Sequence, residues 1–199
     1  MKTVGEIGAF RTIARNVTFA GGSAEPVEVA QITAVGFNIT RVTPVIGRGI
    51  VAADESSGAS PIVVIGYDVW HSRFGGDASV LGRELRLGNV VHTIVGVMPE
   101  GYGFPVNHSY WIPLSTVAAT FGPREGPDIF IFGRLRDGAT MQQVFDAAAK
   151  HGRRVCLVGR SMVRNMGIAA GLGYLKVPDG VVIDQKKAEN LPRNEVVFM

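Results

Sequence analysis

The chain has 199 residues, of which 46% are apolar and 19% charged, and its formal net charge is +3. This length suits one ordinary domain, or one domain with a large appendage, and the apolar share excludes a disordered chain. The single cysteine, Cys156, excludes an internal disulfide. No apolar run in the sequence is long enough to span a membrane or to serve as a secretory signal, so we expect the chain, as written, to stay in the cytosol.

The first third of the chain predicts short strands joined by turns. Residues 26–35 alternate imperfectly and predict a strand with Val27, Val29 and Thr33 on one side. Residues 62–66 form a short β-branched apolar run, which is typical of a buried strand. A helical or turn link is predicted over residues 36–42, a loop over residues 44–50 and a polar loop over residues 53–61.

A short amphipathic helix is predicted over residues 67–74, because Tyr67, Trp70 and Phe74 recur at helical spacing. Gly75 or Gly76 is expected to end this helix in the left-handed conformation. Asp77 is placed to cap the single turn that follows. The stretch around residues 70–87 is rich in glycine and arginine, and we interpret it as turn chemistry and not as a ligand site.

Further strands are predicted in the middle of the chain. Residues 83–99 predict a hairpin that turns at Gly88–Asn89, with Leu85 and Leu87 alternating on one strand. On the return strand the expected alternating residues are Val91, Thr93 and Val95. Residues 110–114 predict a short edge segment, because Pro113 cannot donate to a ladder. Residues 128–138 predict another strand.

The pattern changes near Thr140. Helices are predicted over residues 140–152 and from Ser161, and they alternate with short strands at 153–159, 181–184 and 195–199. This alternation favours a parallel α/β sheet, whereas residues 1–140 predict an α+β domain with hairpins.

The sequence offers no constellation for catalysis or for holding a cofactor. Its four histidines have no metal-ligand spacing, no phosphate-binding glycine motif follows a strand, and Cys156 lies in a predicted buried strand. We therefore assign no catalytic, cofactor or metal residue and predict that the chain is not an enzyme. Residues 141–199 carry nine Lys or Arg against five Asp or Glu, and their basic cluster is a candidate RNA contact: Lys150, Arg153, Arg154, Arg160 and Arg164.

Most of the chain resembles a known family. The segments VTPVIGRGI (42–50), ADESSGASPIVVIGYDVWHSRFGGDASVLGRELRLGNVVHTIVGVMPEGYGFP (53–105), YWIPL (110–114) and FGRLRDGATMQQ (132–143) resemble, in order and spacing, the MacB-like periplasmic core domain of ABC-transporter permeases. The resemblance covers residues 4–143. It implies an extracytoplasmic, non-catalytic α+β module that couples motion or contacts protein partners or permease subunits. It also implies that the domain's first strand, its remainder and the membrane helices lie outside this chain, which makes transport by this chain alone impossible.

A second resemblance covers residues 141–199. The motifs GRSMVRNM (159–166) and LGYLKVPDG (172–180) are similar to the β-CASP region of ribonuclease J, a zinc-dependent RNase. The zinc motif of that family is absent here, so the resemblance transfers no catalytic or metal residue to this chain.

Together these patterns predict an incomplete MacB-like α+β domain (1–140) with an appended ribonuclease J-like α/β fragment (141–199). Three interpretations stay open: a detached permease module that does not function in transport, an RNA-metabolism fragment with weak RNA contact, and a chimaera without an evolved function. The two segments join near residues 140–144, where both families begin a helix, which favours a chimaera over a natural fusion. No small-molecule substrate is indicated, and self-association through exposed strand edges is expected.

Overall fold

A computed structural model describes residues 4–20, 22–115, 127, 129–140 and 143, together with two short strands at 156–158 and 196–198. In chain order the strands of the described residues are β1 (Val4–Thr18), β2 (Glu25–Ile32), β3 (Ile46–Gly47), β4 (Ile62–Ile65), β5 (Glu84–Leu87), β6 (Val90–Val97), β7 (Tyr110–Pro113), β8 (Phe130–Leu135), β9 (Cys156–Val158) and β10 (Val196–Phe198). The α-helices are α1 (Val35–Thr40) and α2 (Tyr67–Phe74), and single 3-10 turns cover Ala52–Glu55 and Ala78–Val80.

Six strands close into a ring in the order β1–β2–β7–β4–β6–β5. Strand β1 closes the ring because it pairs with β2 along residues 10–17 and with β5 through Val17 and Thr18. Strand β8 lies outside the ring and pairs with β1 over residues 4–10, on the same edge as β5. Strand β3 is a two-residue addition to β6.

The ring separates two apolar clusters. The inner cluster takes side chains from all six ring strands, including Val17, Val29, Ile65 and Ile94, and α2 covers one end of it through Val69. The outer cluster packs the other face of β1, β2, β4 and β7 against α1 and β8, and its largest fully buried members include Trp111, Phe104 and Phe132. Because both faces of β4 are buried, its uninterrupted IVVI sequence is what the fold requires.

The sequence reading missed β1, which at 15 residues is the longest strand. Its polar residues obscure the apolar alternation, since Arg11 and Arg15 stand on the same face as Ile13 and Val17. Pairing with other strands on both edges stabilises β1. The composition of the strand itself does not show that these distant partners exist.

Helix α2 and its ends are confirmed as predicted. The helix spans Tyr67–Phe74, and Gly75 ends it with φ 62° and an N–H bond to the His71 carbonyl. The bond from Gly75 is that of an αL ending, and Gly76 also has a positive φ and donates its N–H to the Trp70 carbonyl. The Asp77 side chain accepts a bond from the Ser79 N–H at 2.8 Å and caps the next turn.

The hairpin β5–β6 is confirmed, but one face of it is corrected. Its turn lies at residues 88–89, and Leu85 and Leu87 are buried as expected. On the return strand the buried residues are His92 and Ile94, and the predicted set Val91, Thr93 and Val95 lies on the opposite face. Register explains the difference, because Leu85 pairs directly with His92 and paired residues share a face.

The short strand β7 is confirmed, but its predicted edge position is wrong. It lies between β2 and β4, pairing parallel with the first and antiparallel with the second. Pro113 is tolerated because it is the last residue of β7, and the pairing with β4 runs only through Tyr110 and Trp111. The strand predicted over residues 128–138 is confirmed as β8.

Two predicted strands after Thr140 coincide with described residues. Cys156–Val158 and Val196–Phe198 are strands, but they pair antiparallel with each other, and β10 pairs antiparallel with β8. The expected parallel arrangement is therefore wrong for these strands. Of the helix predicted over 140–152 only Thr140 and Gln143 are described, and the helix predicted from Ser161 and the strand at 181–184 lie outside the described residues.

Candidate functional site

A groove of about 560 Å³ opens at one end of the ring interior, opposite the end covered by α2. Apolar side chains of four ring strands form its base: Ile13, Leu87, Val90 and Ile112. The polar loop 54–61 and the last residues of β7 form its rim. The volume of the groove lies within the range of ligand-binding clefts, and its lining is more polar than is usual for them.

His92 is the most deeply placed polar residue of this groove, since only 6% of its surface is exposed. Its Nδ1 lies 3.1 Å from the Val90 carbonyl and donates to it, because a carbonyl can only accept. Burial lowers the pKa of His92, so the ring is neutral and Nε2 is an acceptor. Within the described part of the chain no group bonds Nε2, while every fully buried polar side-chain atom there is bonded. Nε2 therefore retains access to the groove.

The two carboxylates on the rim already have structural partners. Asp54 receives two bonds from the Arg48 guanidinium at 2.6 and 2.9 Å, and a third from the Val51 N–H. The bond from Arg48 lowers the pKa of Asp54. Glu55 accepts from the Ala34 N–H and fixes the start of α1. These bonds give both carboxylates structural roles at the rim of the groove.

The remaining histidines do not gather around the groove. His108 is 2% exposed, and its Nε2 lies 2.9 Å from the Thr12 hydroxyl, while its Nδ1 accepts from the Val106 N–H. His71 is exposed on α2, and His151 lies outside the described residues. Across the part of the chain that the structure describes, no three His, Cys, Asp or Glu side chains could hold a metal ion.

The predicted RNA-contacting residues Lys150, Arg153, Arg154, Arg160 and Arg164 all lie outside the described residues. Cys156 stands at the start of β9, within the predicted strand. The groove was not predicted from the sequence, because its residues come from six separate strands and one loop. One feature of the local sequence points to the groove: His92 is a polar residue in an otherwise apolar alternating strand.

Most of the chain matches one known protein family. The description "MacB-like periplasmic core domain" matches residues 3–151, three quarters of the sequence. The chain belongs to the MacB-like periplasmic core domain family. Within the described residues of this family member, no helix is long and apolar enough to cross a membrane.

Solved structures agree with this MacB-like fold. The periplasmic region of MacB from Actinobacillus actinomycetemcomitans has a TM-score of 0.58 at 16% identity, over 77% of this chain and 70% of that one. A domain of a putative permease protein from Porphyromonas gingivalis has a TM-score of 0.54 at 18% identity, over 75% and 69%. The extracellular domain of the noncanonic ABC-type transporter YknZ, from Gram-positive bacteria, gives 0.54 at 16% identity, over 76% and 78%. These likenesses establish an α+β fold.

The C-terminal part of this MacB-like chain matches a different family. The description "Ribonuclease J, beta-CASP domain" matches residues 137–199. Ribonuclease J of Mycolicibacterium smegmatis is 58% identical over 59 residues, and that of Mycobacterium tuberculosis is 51% identical over the same length. This stretch is 30% of the chain but only 11% of either relative. Both predicted resemblances are confirmed, and their matches overlap at residues 137–151.

Proposed function

We propose that this chain is a non-catalytic, extracytoplasmic module of an ABC-transporter permease that acts by contacting protein partners. The family match over residues 3–151 carries this proposal. Such a module binds partners or transmits motion and does not itself form a path across the membrane.

The packing supports a mechanical role. The ring is buried on its inner face and, where α1 and β8 cover it, on its outer face, and β8 is joined to it through the β1 pairing and through Phe132 in the outer cluster. A closed ring of paired strands resists shear, because displacing one strand breaks ladders on both its edges. Force applied at β8 would therefore reach the ring through β1.

The test is a domain exchange. Residues 4–140 replace the corresponding part of a permease of this family, and export of its substrate is measured in cells. Export above that of a permease lacking the domain supports the proposal. The matched control carries Phe132→Ala in the exchanged domain, which weakens the join between β8 and the ring. Export equal to the deletion in the unaltered exchange, with normal membrane levels, would contradict a coupling role.

The ribonuclease J match favours a second candidate, weak RNA contact by the basic cluster of residues 150–164. If all five cations of the cluster meet phosphates of a single strand, log Kobs should fall with log salt at a slope of about −3.5. Arg153→Gln with Arg154→Gln should reduce that slope by about 1.4. Fluorescence anisotropy with a labelled single-stranded RNA measures both values, and no binding at low salt removes this candidate.

We further propose a boundary between the two parts at residues 140–141, and a chimaeric origin for the chain. The overlap of the two family matches at 137–151 supports this placement. Limited proteolysis should cut first within residues 138–152. A protease-resistant whole chain would indicate one shared interior instead.

A further inference from the structure

Strand β1 has an open edge beside the groove. Strand β8 pairs with this edge as far as Phe10, and β5 pairs with it from Val17 onward. Between them, on this edge and within the described part of the chain, no strand pairs with residues 11–16, which bond β2 on their other edge; the gap is a slot about 20 Å long.

The backbone groups that face this slot follow from the ladder. The Thr33 N–H donates to the Ala9 carbonyl, so the odd residues of β1 direct their backbone groups toward β2. The Gly88 N–H donates to the Asn16 carbonyl, so the even residues face the slot. With a period of two, the N–H and C=O of Thr12 and Ala14 also face the slot. The Arg15 guanidinium donates a hydrogen bond to the Ala14 carbonyl at 2.9 Å.

We propose that this slot binds a short, extended, acidic peptide segment of a partner protein as an added strand. Such a segment would bond Thr12 and Ala14 through its backbone and direct alternate side chains into the groove beside Ile13. A peptide N–H on the Ala14 carbonyl releases the exposed Arg15 to pair with a carboxylate of the peptide. His92 Nε2 then accepts from a side-chain donor within the groove.

The length of the slot and the charges beside it favour a short acidic peptide segment as the occupant. Pairing of this edge with β1 of a second copy is excluded, because that strand has 15 residues and its own β5 and β8 occupy the same edge on both sides of the slot. Only a segment of about six residues whose ends turn outward fits. Arg15 has no ion pair among the described residues, and both rim carboxylates are already bonded, which favours an acidic segment over a basic one.

The test uses the full chain and two fluorescein-labelled threonine heptapeptides. One has glutamate at its third position and valine at its fifth, and the other has lysine in place of the glutamate. Anisotropy should show the glutamate peptide binding at least threefold more tightly, with the preference reversed in Arg15→Glu. Ala14→Pro removes an outward N–H without breaking the β1–β2 ladder and should weaken binding about three- to tenfold. The matched control Ala14→Val keeps that N–H and should bind as the wild type does.

Circular dichroism and the melting temperature establish that each variant is folded. Equal binding of the two peptides, no binding of either at 1 mM, or unchanged binding by a folded Ala14→Pro chain would overturn the proposal. The inference rests on the proposed function, because it names one kind of partner segment and where that segment binds. Failed peptide binding with a successful domain exchange would refute the slot alone, whereas peptide binding with a failed exchange would refute the coupling role alone.

Discussion

Substitutions at Phe132 and Gly8 should have non-additive effects on the free energy of unfolding, and the size of this coupling can be worked out from the structure. Phe132 is fully buried in the outer cluster, with its ring 5.1 Å from that of Phe104 and 6.1 Å from that of Phe10. A Cβ added to Gly8 would lie 2.6 Å from the Phe132 ring, so the glycine makes room for the aromatic side chain across the β1–β8 pair. The absence of a side chain at Gly8 therefore provides the space that the Phe132 ring fills.

Phe132→Ala removes the aromatic contacts and leaves a cavity, which should lower the free energy of unfolding by about 3–5 kcal/mol. Gly8→Ala alone should cost about 1–3 kcal/mol through overpacking, reduced by about 0.5–1 kcal/mol because alanine restricts the unfolded chain. In the double variant the new methyl group enters the cavity, so the two costs should be less than additive by about 1–2 kcal/mol. The Thr33 hydroxyl, 2.9 Å from the added Cβ, prevents full rescue.

Urea unfolding followed by fluorescence and circular dichroism measures the cycle, provided that the m-value stays constant. Gly138→Ala is a control in open space, where only its positive φ of 80° opposes the substitution. Strict additivity of the Phe132 and Gly8 changes would refute the close approach of β1 and β8. A cost below 1 kcal/mol for Phe132→Ala would refute its place in the core.

Two further predictions concern the ring and the buried histidine. Gly96→Ala should abolish or strongly destabilise the fold, because the new Cβ would lie 2.0 Å from the Arg48 backbone carbonyl; a melting temperature near that of wild type would contradict this packing. Burial lowers the pKa of His108 to about 4 from an ordinary 6.5, so the unfolded chain binds the extra proton first and stability is lost as pH falls from 6.5 to about 4. The urea midpoint should fall over that window by the equivalent of up to about 3 kcal/mol, and His108→Gln should remove most of this dependence.

The sequence by itself determined the local features of this protein. Helix α2, its two-glycine ending, the Asp77 cap and the Gly88–Asn89 hairpin turn were all predicted correctly, because each depends on contacts within a few residues. The family resemblances were likewise visible in motifs of consecutive residues. Short-range chemistry specifies these features before any tertiary contact forms.

Tertiary structure decided the arrangement of the strands. The ring exists because β1 pairs with strands distant in the chain, and no local pattern showed that this polar segment was a strand. Pro113 indicated an edge, yet β7 is central because its pairing with β4 ends before the proline. The groove depends on His92, Ile112 and Ile13 meeting at one end of the ring, and register, which is a property of paired strands, sets that meeting.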